Sequence, residues 1–376
     1  MKKLTKISLY NSPVSGREVV IERDITKNFL MLTGYNGSGK SRTIAMIFEA
    51  LCLARDHDEQ LNNVGWIAEL EFSCGVDVRA LKMSLTGATD SAVREKVVDL
   101  FGQDISLKAI YQGIDSLVKH KDSYTSIKGQ SEDGSAFACA GVSSVEEQES
   151  IDFRSSVEVV AFVEDKIYFN YKREVLDNVF DGPQTIDQTI YALFYDFVLR
   201  QAENNNARET MLTLLMEYRS KSEVFDVAGA RKYIEENFSP DDMVGSPSRF
   251  ESSPVFVQLN KFFAMTNRKL IWHDKHAAME LSNGTFVPWI LFSKGEKTLL
   301  ALMLIVYLYQ HTASFVFDEP DLSLHMEWQK MLLPAFESLA PDSQFIISTH
   351  SPFMVMNTAS EQVVNMAKYH KDVAHG

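Results

Sequence analysis

The chain is short of cysteine, of long apolar runs, of repeats and of positive charge, and each shortage removes a class of protein. Cys52, Cys74 and Cys139 are the only 3 cysteines in 376 residues. They are odd in number and far apart, so they offer neither a disulfide framework nor a paired metal motif, as expected in a reducing cytosol. The longest apolar stretch, Leu299–Tyr309, holds 11 residues, whereas a membrane-spanning helix needs about 20. It reads as a buried core helix. At the N-terminus, MKKLTKISLYNS breaks any apolar region with polar residues, so a signal peptide is not expected. No internal repeat, low-complexity tract or long heptad run occurs, so a coiled-coil arm is not expected. Lys and Arg number 37 against 51 Asp and Glu, a net charge of −14. Broad adhesion to phosphate backbones is disfavoured, although residues 1–50 alone carry +4.

What is present is an ordinary folded composition, 45% hydrophobic and 23% charged. Apolar runs predict strands at 4–10, 19–25, 29–33, 65–73, 76–85, 157–163, 315–317 and 345–348. Helical spacing predicts helices over 42–54 (Ile44, Ile47, Phe48, Leu51) and 186–202. The Ser-, Gly- and acid-rich stretch 122–156 reads as a mobile surface loop, and 239–254 as a linker.

Two motifs carry chemistry. GYNGSGKS, comprising Gly34, Tyr35, Asn36, Gly37, Ser38, Gly39, Lys40 and Ser41, satisfies G-x-x-x-x-G-K-[ST] between a strand and a helix. Its glycines let backbone N–H groups turn toward a phosphate, beside the positive end of the helix that Arg42 continues. Lys40 is then expected on the β- and γ-phosphates of ATP, and Ser41 on Mg2+. The second motif is the strand Phe315–Phe317, which ends in Asp318 and Glu319. Asp318 is placed to hold Mg2+ at the sheet's carboxyl edge, and Glu319 to polarise the attacking water. An acidic turn capping a helix is the plainer alternative for this pair.

Together with WILFSKGEK (residues 289–297) and FIISTHSPFMV (residues 345–355), these motifs resemble ABC ATPases. More narrowly, SKGEKTLL, FVFDEPDLSLH and FIISTHSPFMV resemble the AAA-15/AAA-21 group, which includes the ATPase half of OLD proteins and antiphage-defence ATPases. The resemblance covers residues 1–50 and 255–366. It implies an α/β P-loop fold, a mixed sheet flanked by helices. Ser293, Lys294, Gly295 and Glu296 would be the signature turn, acting in trans on ATP held by a second copy, with Lys297 in support. His325 would occupy the D-loop position, and His350 would be the switch histidine. A Mg2+-lining glutamine (Gln112 or none) and an adenine-stacking aromatic (Tyr10 or none) stay open, as does Arg173.

The resemblance further implies a division into a nucleotide-binding core, 1–85 with 255–376, and an inserted helical and loop lobe, 86–254, that would bind a partner. Only 26 residues follow His350, so a C-terminal Toprim nuclease domain is not expected. The implied function is Mg2+-dependent ATP hydrolysis in a cytoplasmic head-to-tail homodimer. Closure of that dimer would regulate a separate effector encoded nearby, a nuclease or toxin, in antiphage defence. A RecF- or SMC-like DNA-repair ATPase that binds DNA directly is the alternative.

Overall fold

The run Phe29–Thr33 is apolar on both faces, and such a strand is stable only inside a sheet covered on both sides. The computed structural model describes residues 2–10, 19–22, 27–55, 57, 61, 66–84, 124–130, 136–143, 147–171, 185–201, 205–221, 226–237, 250–274, 276–356 and 358–369. In chain order the strands are β1 (Leu4–Tyr10), β2 (Val19–Glu22), β3 (Phe29–Thr33), β4 (Trp66–Phe72), β5 (Asp77–Ser84), β6 (Tyr124–Gln130), β7 (Ala136–Ser143), β8 (Val159–Val163), β9 (Lys166–Phe169), β10 (Lys269–His273), β11 (His276–Glu280), β12 (Phe286–Pro288), β13 (Ser314–Asp318), β14 (Gln344–Ser348) and β15 (Val363–Asn365). The helices are α1 (Lys40–Leu53), α2 (Glu147–Ser156), α3 (Ile186–Gln201), α4 (Asn205–Lys221), α5 (Val227–Asn237), α6 (Pro254–Ala264), α7 (Lys294–Leu308), α8 (Met326–Leu339) and α9 (Pro352–Val355).

The central sheet has the order β15-β3-β14-β13-β8-β9, and its pairings are parallel except at β8–β9. A second sheet, β2-β1-β4-β5-β7-β6, is antiparallel throughout. Strand periodicity sorts the central residues to two faces. Leu30, Leu32, Val316 and Ile346 pack with α1 and the antiparallel sheet, in a cluster that includes Ile7, Leu70, Val78 and Val142. Met31, Phe315, Phe317, Phe345 and Ile347 pack instead with α3, α6, α7 and α8. Helix α1 therefore lies between two sheets, which explains why nearly all of it is buried. Helix α7 is buried on every side, as its apolar run requires. The fold is thus α/β, a mixed sheet flanked by helices.

Two expectations need correction. The stretch 122–156 is not a surface loop among its described residues: β6 and β7 pair with each other, and β7 extends the antiparallel sheet beside β5. Ala140 and Val142, two residues apart, are buried against the α1 side. That alternation, and not the Ser and Gly content, decides the conformation. The division at 86–254 also fails as a single lobe, because β8 pairs with β13 inside the central sheet. Among the described residues of that span, α3, α4 and α5 build a small core of their own, around Tyr195, Leu199, Leu215, Ala230 and Ile234. Gln112 and Arg173, the side chain of Tyr10, and residues 239–249 of the expected linker lie outside the described residues.

One buried polar group ties α1 to the antiparallel sheet. Glu49 accepts hydrogen bonds from Trp66 Nε1 at 2.7 Å, Leu61 N at 2.7 Å and Lys82 Nζ at 3.2 Å. Both members of the Glu49–Lys82 pair are 2% exposed. Removing one partner of such a pair leaves a charge without water or counter-ion and costs about 3–5 kcal/mol. Glu49→Ala is expected at that level in denaturant unfolding. Lys82→Met should cost less, because Glu49 keeps two N–H donors. The reverse ranking would mean that Glu49 is not the hub.

Candidate nucleotide site

Strands β3, β14 and β13 are neighbours, and all three run in the same direction. Their carboxyl ends therefore open onto one edge, where ligands of open α/β sheets bind. From β3 the chain enters Gly34–Gly39, from β13 it continues as Asp318–Glu319, and from β14 it reaches His350.

The first loop curls because Gly34, Gly37 and Gly39 all take positive φ. At Gly34 (φ +140°) a Cβ would lie 2.7 Å from Ser38 Oγ, so no other residue fits there without displacement. Lys40 is 4% exposed. Its ammonium lies 3.3 Å from Gly34 O and 3.4 Å from Tyr35 O, under the arch of its own loop. Burial pushes the Lys40 pKa below the usual lysine value, against the opposing pull of Glu319 and Asp318. Tyr35, Asn36, Ser41 and Arg42 are exposed around this arch, whereas Ser38 is buried.

Three expected residues meet here. His350 Nε2 lies 2.7 Å from Lys40 Nζ and 3.1 Å from Glu319 Oε1. A single ring nitrogen can accept from the ammonium or donate to the carboxylate, one at a time, so the imidazole stands between two opposite charges. Asp318 joins through Ser348, whose hydroxyl donates to Asp318 Oδ1. Glu319 N–H donates to the same residue, at 3.1 Å to Ser348 O and 3.0 Å to Ser348 Oγ. Glu319 has φ +47°, a left-handed conformation that is uncommon for a side-chain-bearing residue. Such backbone persists where surrounding bonds fix it, and it gathers at functional sites.

The donor set fits a nucleotide phosphate and its cation. The N-cap of α1 is Gly39 in the left-handed region, no side chain caps that terminus, and no acid sits in the first turn. The helix end keeps its positive character for an anion. No group of three or more His, Cys, Asp or Glu forms a cation cage among the described residues. Mg2+ ordinarily needs only one or two protein oxygens when phosphates supply others.

The expected signature turn lies at the start of α7. Ser293 caps α7 in a capping box: its hydroxyl oxygen accepts from Glu296 N at 3.4 Å and its own N–H donates to Glu296 Oε2 at 2.7 Å, while the hydroxyl proton goes to the same carboxylate oxygen at 2.8 Å. Arg268 pairs with the other oxygen of Glu296. Lys294 Nζ reaches Asp165 Oδ2 at 3.0 Å, in the turn after β8. Lys297 Nζ lies 2.7 Å from Asp187 Oδ1 at the start of α3, an ion-pair contact without hydrogen-bond geometry. Gly295 packs on the turn that follows the acidic pair, where its missing Cβ would lie 2.5 Å from Ser323 O. His325, the expected D-loop residue, caps α8 by accepting from Glu327 N at 3.4 Å. The sequence reading missed Ser348, Asp165, Asp187 and Arg268. Of these, only Ser348 carried a local signal, as the polar end of an apolar strand beside His350.

Residues 273–356, which span the signature turn, the acidic pair and His350, match the family described as "AAA domain, putative AbiEii toxin, Type IV TA system". A curated relative, "Retron Vc95 probable ATPase" of Vibrio cholerae serotype O1 biovar El Tor, is 23% identical over 96% of this chain and 73% of its own. "Retron Ec83 probable ATPase" of Escherichia coli is 33% identical over 23% of this chain and 18% of its own. The chain is an ATPase, and its residues 273–356 are similar to the AAA-21 domain. Among solved structures, the SMC head domain from Pyrococcus furiosus aligns with 95% of this ATPase and 92% of its own chain, at 16% identity and TM-score 0.40. The Thermotoga maritima SMC head aligns with 94% and 91%, at 13% identity and TM-score 0.39.

Gly295→Ala tests the contact between the two turns. Alanine normally stabilises a helical position relative to glycine by about 1 kcal/mol. Here the methyl group meets a backbone carbonyl that cannot rotate away, and overpacking costs about 1–3 kcal/mol. Net destabilisation in thermal unfolding is the expected result. A stabilised variant would show that the turns are not in contact.

Proposed function

We propose that two copies of this ATPase close head to tail around ATP and Mg2+, and that closure controls a separate effector protein, a nuclease or toxin, in antiphage defence. The observation that carries the catalytic part is the meeting of Lys40, Glu319 and His350 at the ends of three adjacent parallel strands. Lys40 would hold the β- and γ-phosphates once released from its loop carbonyls, and Ser41 and Asp318 would hold Mg2+. Bound there, the cation would neutralise charge developing between those phosphates. Glu319 would orient and deprotonate the attacking water. His350, once Lys40 turns away, has Nε2 available to face the γ-phosphate.

Ser293 supports the two-copy arrangement. Its turn is fixed within its own subunit, by Glu296 on Ser293, Arg268 on Glu296 and Asp165 on Lys294, and the exposed Ser293 would donate to a neighbour's nucleotide by turning its proton away from Glu296 Oε2. A head-to-tail pair closed by two-fold symmetry would contain two such composite sites. The effector role and the cytosolic setting draw on the resemblance to antiphage-defence ATPases, the toxin named in the family description and the relatives named as retron ATPases. No described helix is long and apolar enough to cross a membrane.

The test combines three variants. Lys40→Ala is expected to lose nucleotide binding. Glu319→Gln should bind ATP yet turn over about 100- to 10,000-fold more slowly, the range ascribed to general-base catalysis. Mixing Lys40→Ala with Ser293→Arg should restore some activity, since one composite site per mixed dimer stays intact. Wild-type turnover by Glu319→Gln would remove the base assignment, and no rescue with concentration-independent specific activity would indicate a monomeric enzyme. Stimulation of turnover by added DNA would favour direct DNA binding over effector control.

A further inference from the structure

Asp321 is a buried carboxyl, 4% exposed, that the catalytic scheme above does not use. It lies two residues beyond Glu319, in the turn that connects β13 to α8. Its Oδ1 accepts the Thr349 hydroxyl at 2.8 Å. Thr349 is 0% exposed and immediately precedes His350. Having donated to Asp321, Thr349 Oγ1 accepts the N–H of Ser351 at 2.9 Å, on the far side of the histidine. The Ser351 hydroxyl donates to Gln329 Oε1 at 2.6 Å, and Gln329 Nε2 donates back to Asp321 O at 3.0 Å and to Leu324 O at 2.9 Å. The contacts close into a ring of four residues, and His350 is held between two of them.

The backbone completes the bracket. Thr349 N–H donates to Leu32 O on β3 at 3.0 Å, next to the phosphate loop. The ring therefore fixes the histidine's backbone relative to the turn of Glu319 and to the strand that feeds Lys40. A hydroxyl that both donates and accepts has a single orientation, which a lone surface serine would not have. The ring also reaches the signature side, because Ser323 O, against which Gly295 packs, belongs to the same turn.

We propose that Asp321 is a positioning residue for ATP hydrolysis, acting through the Thr349 hydroxyl to hold His350 in register with Glu319 and Lys40. It touches neither the nucleotide nor the water; its effect is geometric. A carboxyl suits this place because it is an acceptor at both oxygens when ionised, so Thr349 must point its proton there and keep a lone pair for Ser351. Burial raises the Asp321 pKa above the usual aspartate value, against the Thr349 hydrogen bond that lowers it.

This inference rests on the hydrolysis reading above. The experiment measures kcat, nucleotide affinity and thermal midpoint for wild type, Asp321→Ala, Asp321→Asn, Thr349→Val, Thr349→Ser and the double variant Asp321→Ala/Thr349→Val. Lys82→Met, destabilised at the antiparallel sheet and outside the Asp321–Thr349 ring, shows how much kcat falls through stability alone. Loss of a positioning contact is expected to lower kcat about 10- to 100-fold in Asp321→Ala and in Thr349→Val, with nucleotide affinity little changed. The double variant should be no worse than either single change, because both break the same bond. Thr349→Ser and Asp321→Asn, which keep a hydroxyl donor and an oxygen acceptor, should restore most of kcat. Additive losses, losses matched by Lys82→Met at equal thermal midpoint, or unchanged kcat in Asp321→Ala with an active wild type would each overturn the inference alone. A wild type without turnover would overturn both this inference and the hydrolysis reading.

Discussion

The parallel pairing of β3, β14 and β13 is the constraint on which the rest depends. These strands come from both ends of the chain, yet their register places Leu32 beside Ser348 and Ser348 beside Asp318. A parallel ladder cannot be closed by a hairpin; each crossover must leave the sheet and return. The returns are helical and cover both faces, so the strands can be apolar throughout. The polar residues are consequently displaced to the strand ends, on one edge. Lys40, Glu319 and His350 meet because hydrophobic burial leaves them no other place.

That edge accommodates strained and desolvated groups, and the interior supports them. Glu319 holds positive φ, and Lys40 is buried beside a histidine. A left-handed residue costs of the order of 1–3 kcal/mol. Phe315, Phe317, Phe336 and Phe345, each 0% exposed, form an aromatic cluster under the same strands. Fully burying one phenylalanine contributes about 1.5–3 kcal/mol. Four such side chains outweigh the local strain, and Ser348 confines it by bonding both acidic residues.

Much of this was legible in the sequence, and the reason is local. β3, α1, β13 and β14 are announced by unbroken apolar runs that end in glycine or charged motifs, and their expected bounds differ from the structure by two residues or fewer. What could not be read is pairing at a distance. Asp321 meets Thr349 across 28 positions, and Lys294 meets Asp165 across 129. No periodicity encodes such partners. The strands at 124–130 and 136–143 were hidden for a different reason. Ser- and Gly-rich composition usually marks loops, but a strand between two neighbours can use small residues where its backbone lies close to them. His325 was half-legible: its position follows the motif, while its contact is that of a helix cap.

The signature turn shows which of its contacts set its geometry. Lys294 is 62% exposed in its pair with Asp165, and an ion pair in water is worth about 0–1 kcal/mol. The capping box at Ser293 contributes about 1 kcal/mol and also fixes a backbone direction. Arg268 and Glu296 are better shielded, at 29% and 9% exposure, so their attraction is less screened. Gly295 adds a steric limit, since nothing larger than hydrogen fits against Ser323 O. Position is therefore set by Glu296 and Gly295, whereas Lys294 and Lys297 orient the turn toward β8 and α3. Glu296 acts on three groups at once: the Ser293 hydroxyl, the Ser293 amide and the Arg268 guanidinium. A change there would release all three, so the residue that never approaches the nucleotide controls the one proposed to reach it.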